Sequence, residues 1–336
     1  MSEKLTSTVY GIAPWSAELL QISGDIDRGR KSIKDYSLQY SADFGIYSGV
    51  LEAAGIDFRA GDWGGGTDDY LRDIGRLFGR VGKPSETGPV TRWFDTNTFY
   101  RQPDIEGFVE QSEHYPHEQY LDWLELNKSA AIYQPTFLSP YSLAKLSAQE
   151  SGTSEVNALN FAKFAIENLI ATSREQGVGH ILLHEPFIPY IGGSSEERLK
   201  FIEALEEIIV LHTDMDIGLF FSYGDASPVI NDVLGRDLAV AVVGCDLQKT
   251  PLAKIGPVGK RRFLAGLVDG ANTLFHSDQA LIAQLLEVTT AQKDAEISLT
   301  HTVDLEHVPR RFAIQKIMQI GRVVSAVNEI RGDKHE

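Results

Sequence analysis

SEVNALNFAKFAIENLIATSREQGVGHILLHEP, Ser154 to Pro186, carries two patterns in succession. Its first two-thirds place Val156, Leu159, Ala162, Phe164, Ile166 and Leu169 on broadly one helical side, the spacing of an amphipathic helix. After Gly177 and Gly179 the chain switches to a short apolar run, ILLHEP, closed by Pro186. A helix followed by a strand with no polar alternation reads as one unit of a parallel sheet buried on both faces.

The same unit recurs downstream. DIGLFFS (216 to 222), LAVAVVGC (238 to 245), RFLAGLVDG (262 to 270) and AEISLTH (295 to 301) are apolar runs with helix-length sequence between them. Upstream, AAIYQP (130 to 135) leads through Pro140 into YSLAKLSAQE, and STVYGIAP (7 to 14) and GIDFRAGD (55 to 62) flank another helical stretch. These make eight strands, the closure number of a TIM (β/α)8 barrel. The competing doubly wound sheet is disfavoured, because no GxGxxG follows the first strand and no P-loop occurs. The GGG at 64 to 66 lacks the required spacing. No composition shift divides the chain, so residues 1–336 are expected to form one domain. An insertion at about 85–128 follows the second strand.

Composition limits the partners. The 336 residues carry a net charge of −16, which repels phosphate backbones, and no basic stripe offsets it. Nucleic acid is therefore not expected. The longest apolar run, LAVAVVGC, is far too short to span a membrane, and the start lacks a secretory pattern; a cytoplasmic protein is expected. The lone Cys245 permits no internal disulfide and no cysteine-rich zinc site. A homodimer is compatible with the sequence, which does not require one.

In a TIM barrel the chemistry sits at the carboxyl ends of the strands. That rule selects His184 and Glu185, then Ser222, Tyr223 and Asp225, then Cys245 and Asp246, then Asp269, and finally His301 and Asp304. His184 and Glu185 have the functional groups to shuttle a proton, hold a substrate amine or ligate a metal, with His301 as a third candidate. Asp225 or Ser227 also reads as a helix cap, and Cys245 as a small buried hydrophobe. His276 and Asp278 read as a loop and a cap, and His114 and His117 as solvated loop residues. Within the insertion, RWFDTNTFYRQPDI (92 to 105) mixes aromatic mass with paired polarity. It reads as a β-hairpin over one barrel end. Trp93 and Tyr100 supply aromatic faces there, while Asp95, Asn97 and Arg101 supply polar contacts to a ligand.

Taken in order, these segments resemble the cobalamin-independent methionine synthases. RWFDTNTFYRQP is similar to that family's Trp-Phe-(Asp/Asn)-Thr/Asn-Asn plus Tyr signature, and ILLHEP to its Ile-Asp-Glu-Pro. FFSYGDASPVINDVL, AVVGCDL, KRRFLAGLVDGANT and LTHTVDLEHVPRR resemble later strands of the same barrel. The likeness covers about 55 to 330 and lies nearer the family's zinc-less N-terminal barrel and its stand-alone relatives than its zinc barrel. It implies a role in methionine biosynthesis and one-carbon metabolism, as a methyltransferase component with a tetrahydrofolate as a ligand. In the family's catalytic barrel, zinc activates homocysteine as a thiolate; here the His-x-Cys positions fall near Phe220 and Ser222, and the late Cys becomes Val303. Zinc is therefore expected to be absent. The amine-holding Asp of the signature is His184 here. Two roles follow: an auxiliary barrel working beside a separate zinc-dependent methionine synthase chain, or a stand-alone enzyme for a one-carbon or thiol substrate using His184 and Glu185.

Overall fold

The computed structural model describes residues 5–12, 15–59, 90–102, 132–147 and 154–332. In chain order the strands are β1 (Thr6–Val9), β2 (Phe58–Arg59), β3 (Val90–Arg92), β4 (Phe99–Arg101), β5 (Ile132–Tyr133), β6 (Thr136–Leu138), β7 (His180–Glu185), β8 (Asp216–Phe221), β9 (Val242–Asp246), β10 (Arg262–Val268) and β11 (Glu296–His301). The α-helices are α1 (Ala17–Asp27), α2 (Ile33–Ala53), α3 (Pro140–Ser147), α4 (Glu155–Glu175), α5 (Phe187–Ile191), α6 (Ser195–Leu211), α7 (Ser227–Gly235), α8 (Asp278–Ala291) and α9 (Arg310–Gly332).

All strands but β3 and β4 lie in one parallel ladder of order β5-β2-β1-β11-β10-β9-β8-β7-β6. The two ends of that ladder, β5 and β6, are pieces of a single strand. Tyr133 pairs with Arg59 on one side, and Leu138 with His184 on the other. Between them the Gln134 N–H donates to the Arg59 carbonyl (3.0 Å), and the Pro135 carbonyl accepts from the Leu182 N–H (2.9 Å). Proline has no N–H to give, so the ladder is interrupted at Pro135 while the chain continues across it. The sheet thus closes on itself through 132–138 as a TIM-type barrel of eight strands in sequence order.

Closure sets two cores. Tyr10, Leu182, Phe220, Val242 and Leu264 fill the barrel interior, while a larger cluster packs the helices on the outer wall. Inward glycines make the room. A Cβ on Gly244 would lie 2.4 Å from Leu264 Cβ, and one on Gly266 would lie 3.1 Å from the Phe220 ring; the large rings occupy the space that these positions leave. Serine side chains cap the helix starts. Ser154 accepts from the Asn157 N–H at α4, and Ser194 forms a reciprocal capping box with Glu197 at α6.

Some expected boundaries shift. The strand read over 130–135 runs on to Leu138, the one read over 238–245 starts at Val242 and ends at Asp246, and the first ends at Val9. On α4 the buried side is Ala158, Phe161, Ala162, Ala165, Ile166 and Leu169, whereas Val156 is 67 % exposed. Alanines carry much of that helix's packing face, so the larger side chains alone misplace it. Of the insertion, β3 and β4 form the expected antiparallel hairpin, with Val90 opposite Arg101 and Arg92 opposite Phe99; its remainder, with His114 and His117, lies outside the described residues. No described helix is long and apolar enough to cross a membrane.

Candidate functional site

Strand alternation separates the two residues that the sequence puts side by side at the end of β7. Successive side chains on a strand point to opposite faces. His184 turns into the barrel, where its Nε2 lies 2.6 Å from Ser222 Oγ. Glu185 turns to the wall. Its carboxylate accepts from the Ser139 and Ser142 hydroxyls and from the Ile188 N–H (2.8 Å), tying β7 to the starts of α3 and α5. Burial pushes the Glu185 carboxyl up, against the pull of those hydrogen bonds.

At the carboxyl end of the barrel, buried polar groups gather around Asp304. Its Oδ1 accepts from the Ile12 N–H (3.1 Å), and its Oδ2 lies 3.7 Å from His184 Nδ1. His301 has a fixed tautomer: Nε2 accepts from the Tyr10 N–H (3.2 Å) and Nδ1 donates to the Val303 carbonyl (2.8 Å). Both its nitrogens are engaged, and its ring stacks on Tyr10 at 4.3 Å. Burial holds His184 and His301 each down to about 4, although the Asp304 charge opposes the shift. Asp246, at the end of β9, accepts from the Gln248 N–H (2.8 Å) and is pushed by burial up to about 6. The polar atoms buried here without a hydrogen-bond partner among the described residues include Tyr10 Oη, His184 Nδ1 and Thr300 Oγ1.

The hairpin is fastened over this mouth by a run of hydrogen bonds. Trp93 Nε1–H donates to Tyr223 Oη (3.0 Å), which lies 2.7 Å from His307 Nε2, and His307 Nδ1 lies 2.8 Å from Thr98 Oγ1. Indole nitrogen only donates, so the Tyr223 oxygen accepts from Trp93 and keeps its own O–H to donate to His307 Nε2 in the tautomer that places the His307 hydrogen on Nδ1, toward Thr98. Phe94 stacks on Tyr223 with ring centroids 4.7 Å apart. Both are non-glycine residues in the left-handed region, at φ 46° and 68°. Strain of that kind persists only where surroundings impose it, and it concentrates at functional sites. Tyr223→Phe should unlatch the hairpin, leaving Trp93 Nε1 and His307 Nε2 without this partner. Amide exchange across 90–102 is expected to accelerate about tenfold or more, for roughly 1–3 kcal/mol of local stability; unchanged exchange would show that the hairpin is held elsewhere.

The other sequence candidates fall away from this centre. Asp95 and Asn97 are exposed on the hairpin, Asp95 accepting from Tyr190 Oη (3.3 Å) and Asn97 from Arg92 (3.3 Å). Tyr100 is buried beneath, its hydroxyl donating to the Leu146 carbonyl (3.4 Å). Asp225 accepts from the Ser227 N–H and hydroxyl in a turn ahead of α7 and pairs with Lys254 (2.9 Å); the N-cap position is Ala226, so neither Asp225 nor Ser227 supplies the expected side-chain cap. Cys245 is fully buried in the wall core. Asp269 holds the Ala271 N–H and Asn272 in its own loop, and Asp278 takes Gln319 and Arg322 from α9. Strand-end reasoning missed His307, which sits in the short 3-10 turn Leu305–His307 beyond β11. It also missed Tyr10, the first residue past β1.

With this geometry established, comparison identifies the barrel. The sequence profile of the cobalamin-independent synthase N-terminal domain matches residues 32–294, most of the chain. The chain belongs to that family. Among its relatives, the 5-methyltetrahydropteroyltriglutamate--homocysteine methyltransferase of Streptococcus gordonii is 25% identical over 279 residues, covering 80% of this chain and 36% of that protein. The enzyme of the same name from Lactococcus lactis is 26% identical over 248 residues, covering 72% and 32%. The chain thus spans about a third of the length of these relatives. Among solved structures, a B12-independent methionine synthase from Shewanella sp. W3-18-1, in complex with selenomethionine, aligns with TM-score 0.71 at 12% identity over 99% of both chains. One from Listeria monocytogenes aligns at 0.65 and 12%, over 97% of both. At that identity they share the fold.

The zinc of the family's catalytic barrel can be tested against this chain's donor atoms. Phe220 is packed against Tyr10 inside the barrel, Ser222 Oγ is engaged with His184, and Val303 offers a carbonyl already taken by His301. Among the described residues no three His, Cys, Asp or Glu side chains form a group that could hold a metal ion. The donor set does not fit a thiolate-type zinc site.

Proposed function

We propose that this barrel serves methyl transfer to homocysteine as an auxiliary component. It binds a reduced folate, or a separate zinc-dependent methionine synthase chain, at its hairpin-covered mouth. The observation that carries this reading is a contrast. The positions that would anchor zinc hold Phe220, Ser222 and Val303, yet the mouth is elaborately built, with Trp93 and Thr98 of the hairpin hydrogen-bonded to Tyr223 and His307. The hairpin's outer side offers contact to either binding partner: Phe99 is 57 % exposed beside Asp95 and Asn97. The proposed setting is the cytoplasm.

The test is methyl transfer from methyltetrahydrofolate to homocysteine, measured with this chain alone and with a separate zinc methyltransferase chain added. The auxiliary reading expects no turnover alone and a response to the added chain. In parallel, folate titration should give saturable binding that weakens about tenfold when Asp95 and Asn97 are both replaced by alanine, about 1.4 kcal/mol. Unchanged affinity would leave the hairpin as scaffolding.

One observation favours a second reading, a stand-alone one-carbon or thiol enzyme. His184 and Ser222 form a close pair inside the barrel, with His184 Nδ1 facing Asp304. In that reading His184 is the proton-transferring group and Glu185 positions it from the wall, with His301 orienting Tyr10. Turnover by the chain alone would select it.

A further inference from the structure

Ser222, His184 and Asp304 come from three separate segments: just past β8, the end of β7, and just past β11. Ser222 Oγ lies 2.6 Å from His184 Nε2, and His184 Nδ1 lies 3.7 Å from Asp304 Oδ2. We propose that Ser222 is an activated nucleophile, with His184 as its base and Asp304 as the positioning residue, acting on a small ester or thioester.

The order of groups is that of a nucleophile, a base and an orienting carboxylate. At 3.7 Å Asp304 acts on Nδ1 through its charge and not through a hydrogen bond, and that charge favours the tautomer with hydrogen on Nδ1, which leaves Nε2 to accept the serine proton. All three side chains are buried, at 0 %, 0 % and 1 % exposure. The residue after Ser222 is Tyr223 in its left-handed conformation, so the strand ends in a sharp turn directly behind the hydroxyl.

The site limits its substrate. Phe220 and Tyr10, fully buried with rings 4.4 Å apart, form a floor that limits the acyl group to a short one. Asp304 and Asp246 give the mouth negative charge, which disfavours acyl groups bearing a carboxylate. Ser222 is fully buried and the next residue, Tyr223, carries the hairpin hydrogen bonds, so entry of a substrate requires those bonds to open.

The reaction balances as hydrolysis. Ser222 Oγ adds to the carbonyl carbon while its proton passes to His184 Nε2. The carbon–oxygen or carbon–sulfur bond to the leaving group breaks, and the alcohol or thiol departs with that proton. Water then adds to the acyl-serine and gives a proton to Nε2. The proton returns to Ser222 Oγ as the carboxylic acid leaves.

p-Nitrophenyl acetate supplies the short acyl group for a test. Mixing it with the full chain should give a burst of nitrophenol and one acetyl group mapped by peptide mass spectrometry to Ser222. Ser222→Ala should remove that adduct, and His184→Gln should slow its formation about a hundredfold or more. Asp304→Asn should slow it and move the midpoint of the pH–rate profile lower, because the Asp304 charge raises proton affinity at His184. A purely structural role would leave that midpoint unmoved. The other groups facing the ring, His301, His307, Tyr10 and Tyr223, remain in place in that variant. No acetyl group at Ser222, or a Ser222 adduct formed equally fast with His184→Gln, would overturn the proposal. If His184→Gln loses the native circular dichroism, the wild-type profile decides. A rate rising through one midpoint below the ordinary histidine range supports the proposal, and a rate that only tracks hydroxide overturns it.

Discussion

Glu185→Ala is expected to lower global stability by on the order of 3 to 5 kcal/mol, the largest effect foreseen for a single side chain here. The carboxylate is fully buried and accepts from Ser139, Ser142 and the Ile188 N–H. Removing it leaves three buried donors unsatisfied at the point where β7, α3 and α5 meet. Glu185→Gln keeps one acceptor oxygen and should cost roughly half as much. Urea unfolding with an unchanged slope measures both. A loss under about 1 kcal/mol for Glu185→Ala would mean that the carboxylate is not a wall tie and serves the mouth with His184.

The second large effect is with pH. His184 and His301 are held near 4 in the folded chain against an ordinary 6.5. Each therefore favours the folded state fully above pH 6.5. As pH falls from 6.5 toward 4 the unfolded chain takes up protons that the folded chain refuses, and that stability is lost, on the order of 3 kcal/mol per ring. Asp246 acts in the opposite sense. Its folded value of about 6 lies above its ordinary 3.8, so folding gains from its protonation as pH falls through 6, by a similar amount for one group. The net expectation is a clear loss between pH 6.5 and 4. Asp246→Asn should be more stable near neutrality, because no buried charge remains, and should lose stability more steeply in acid. Denaturant midpoints across this range that stay level in both proteins would contradict the burial of the two rings.

What the sequence shows of this site, and what it does not, follows from how local each cause is. The strands are visible because a segment buried on both faces must be apolar throughout, as in ILLHEP and RFLAGLV. Closure is not visible, because it depends on one strand, 132–138, pairing with 58–59 on one side and with 180–185 on the other. Period-two alternation already implies that His184 and Glu185 face opposite ways; treating them as a pair set aside that rule. His307 could not be found by strand-end reasoning, since a turn beyond β11 brings it to Tyr223. The hairpin is legible from its Thr, Tyr and Phe content, but its fastening is a contact across 130 positions, Trp93 to Tyr223. The left-handed conformations of Phe94 and Tyr223 have no signature in residue type, because neither residue favours them.

Everything at the mouth depends on His184 and His301 lying together in a dry interior around Asp304, with half-buried His307 at its edge. Site-resolved 15N titration of the nine histidine rings tests this most directly. The structure requires His301 to carry its hydrogen on Nδ1, His184 and His301 to stay neutral down to the region of pH 4, and the signals of both to shift in Asp304→Asn. If those two rings instead titrate near 6.5 and ignore Asp304→Asn, they face solvent separately, and the shared site beneath the hairpin does not exist.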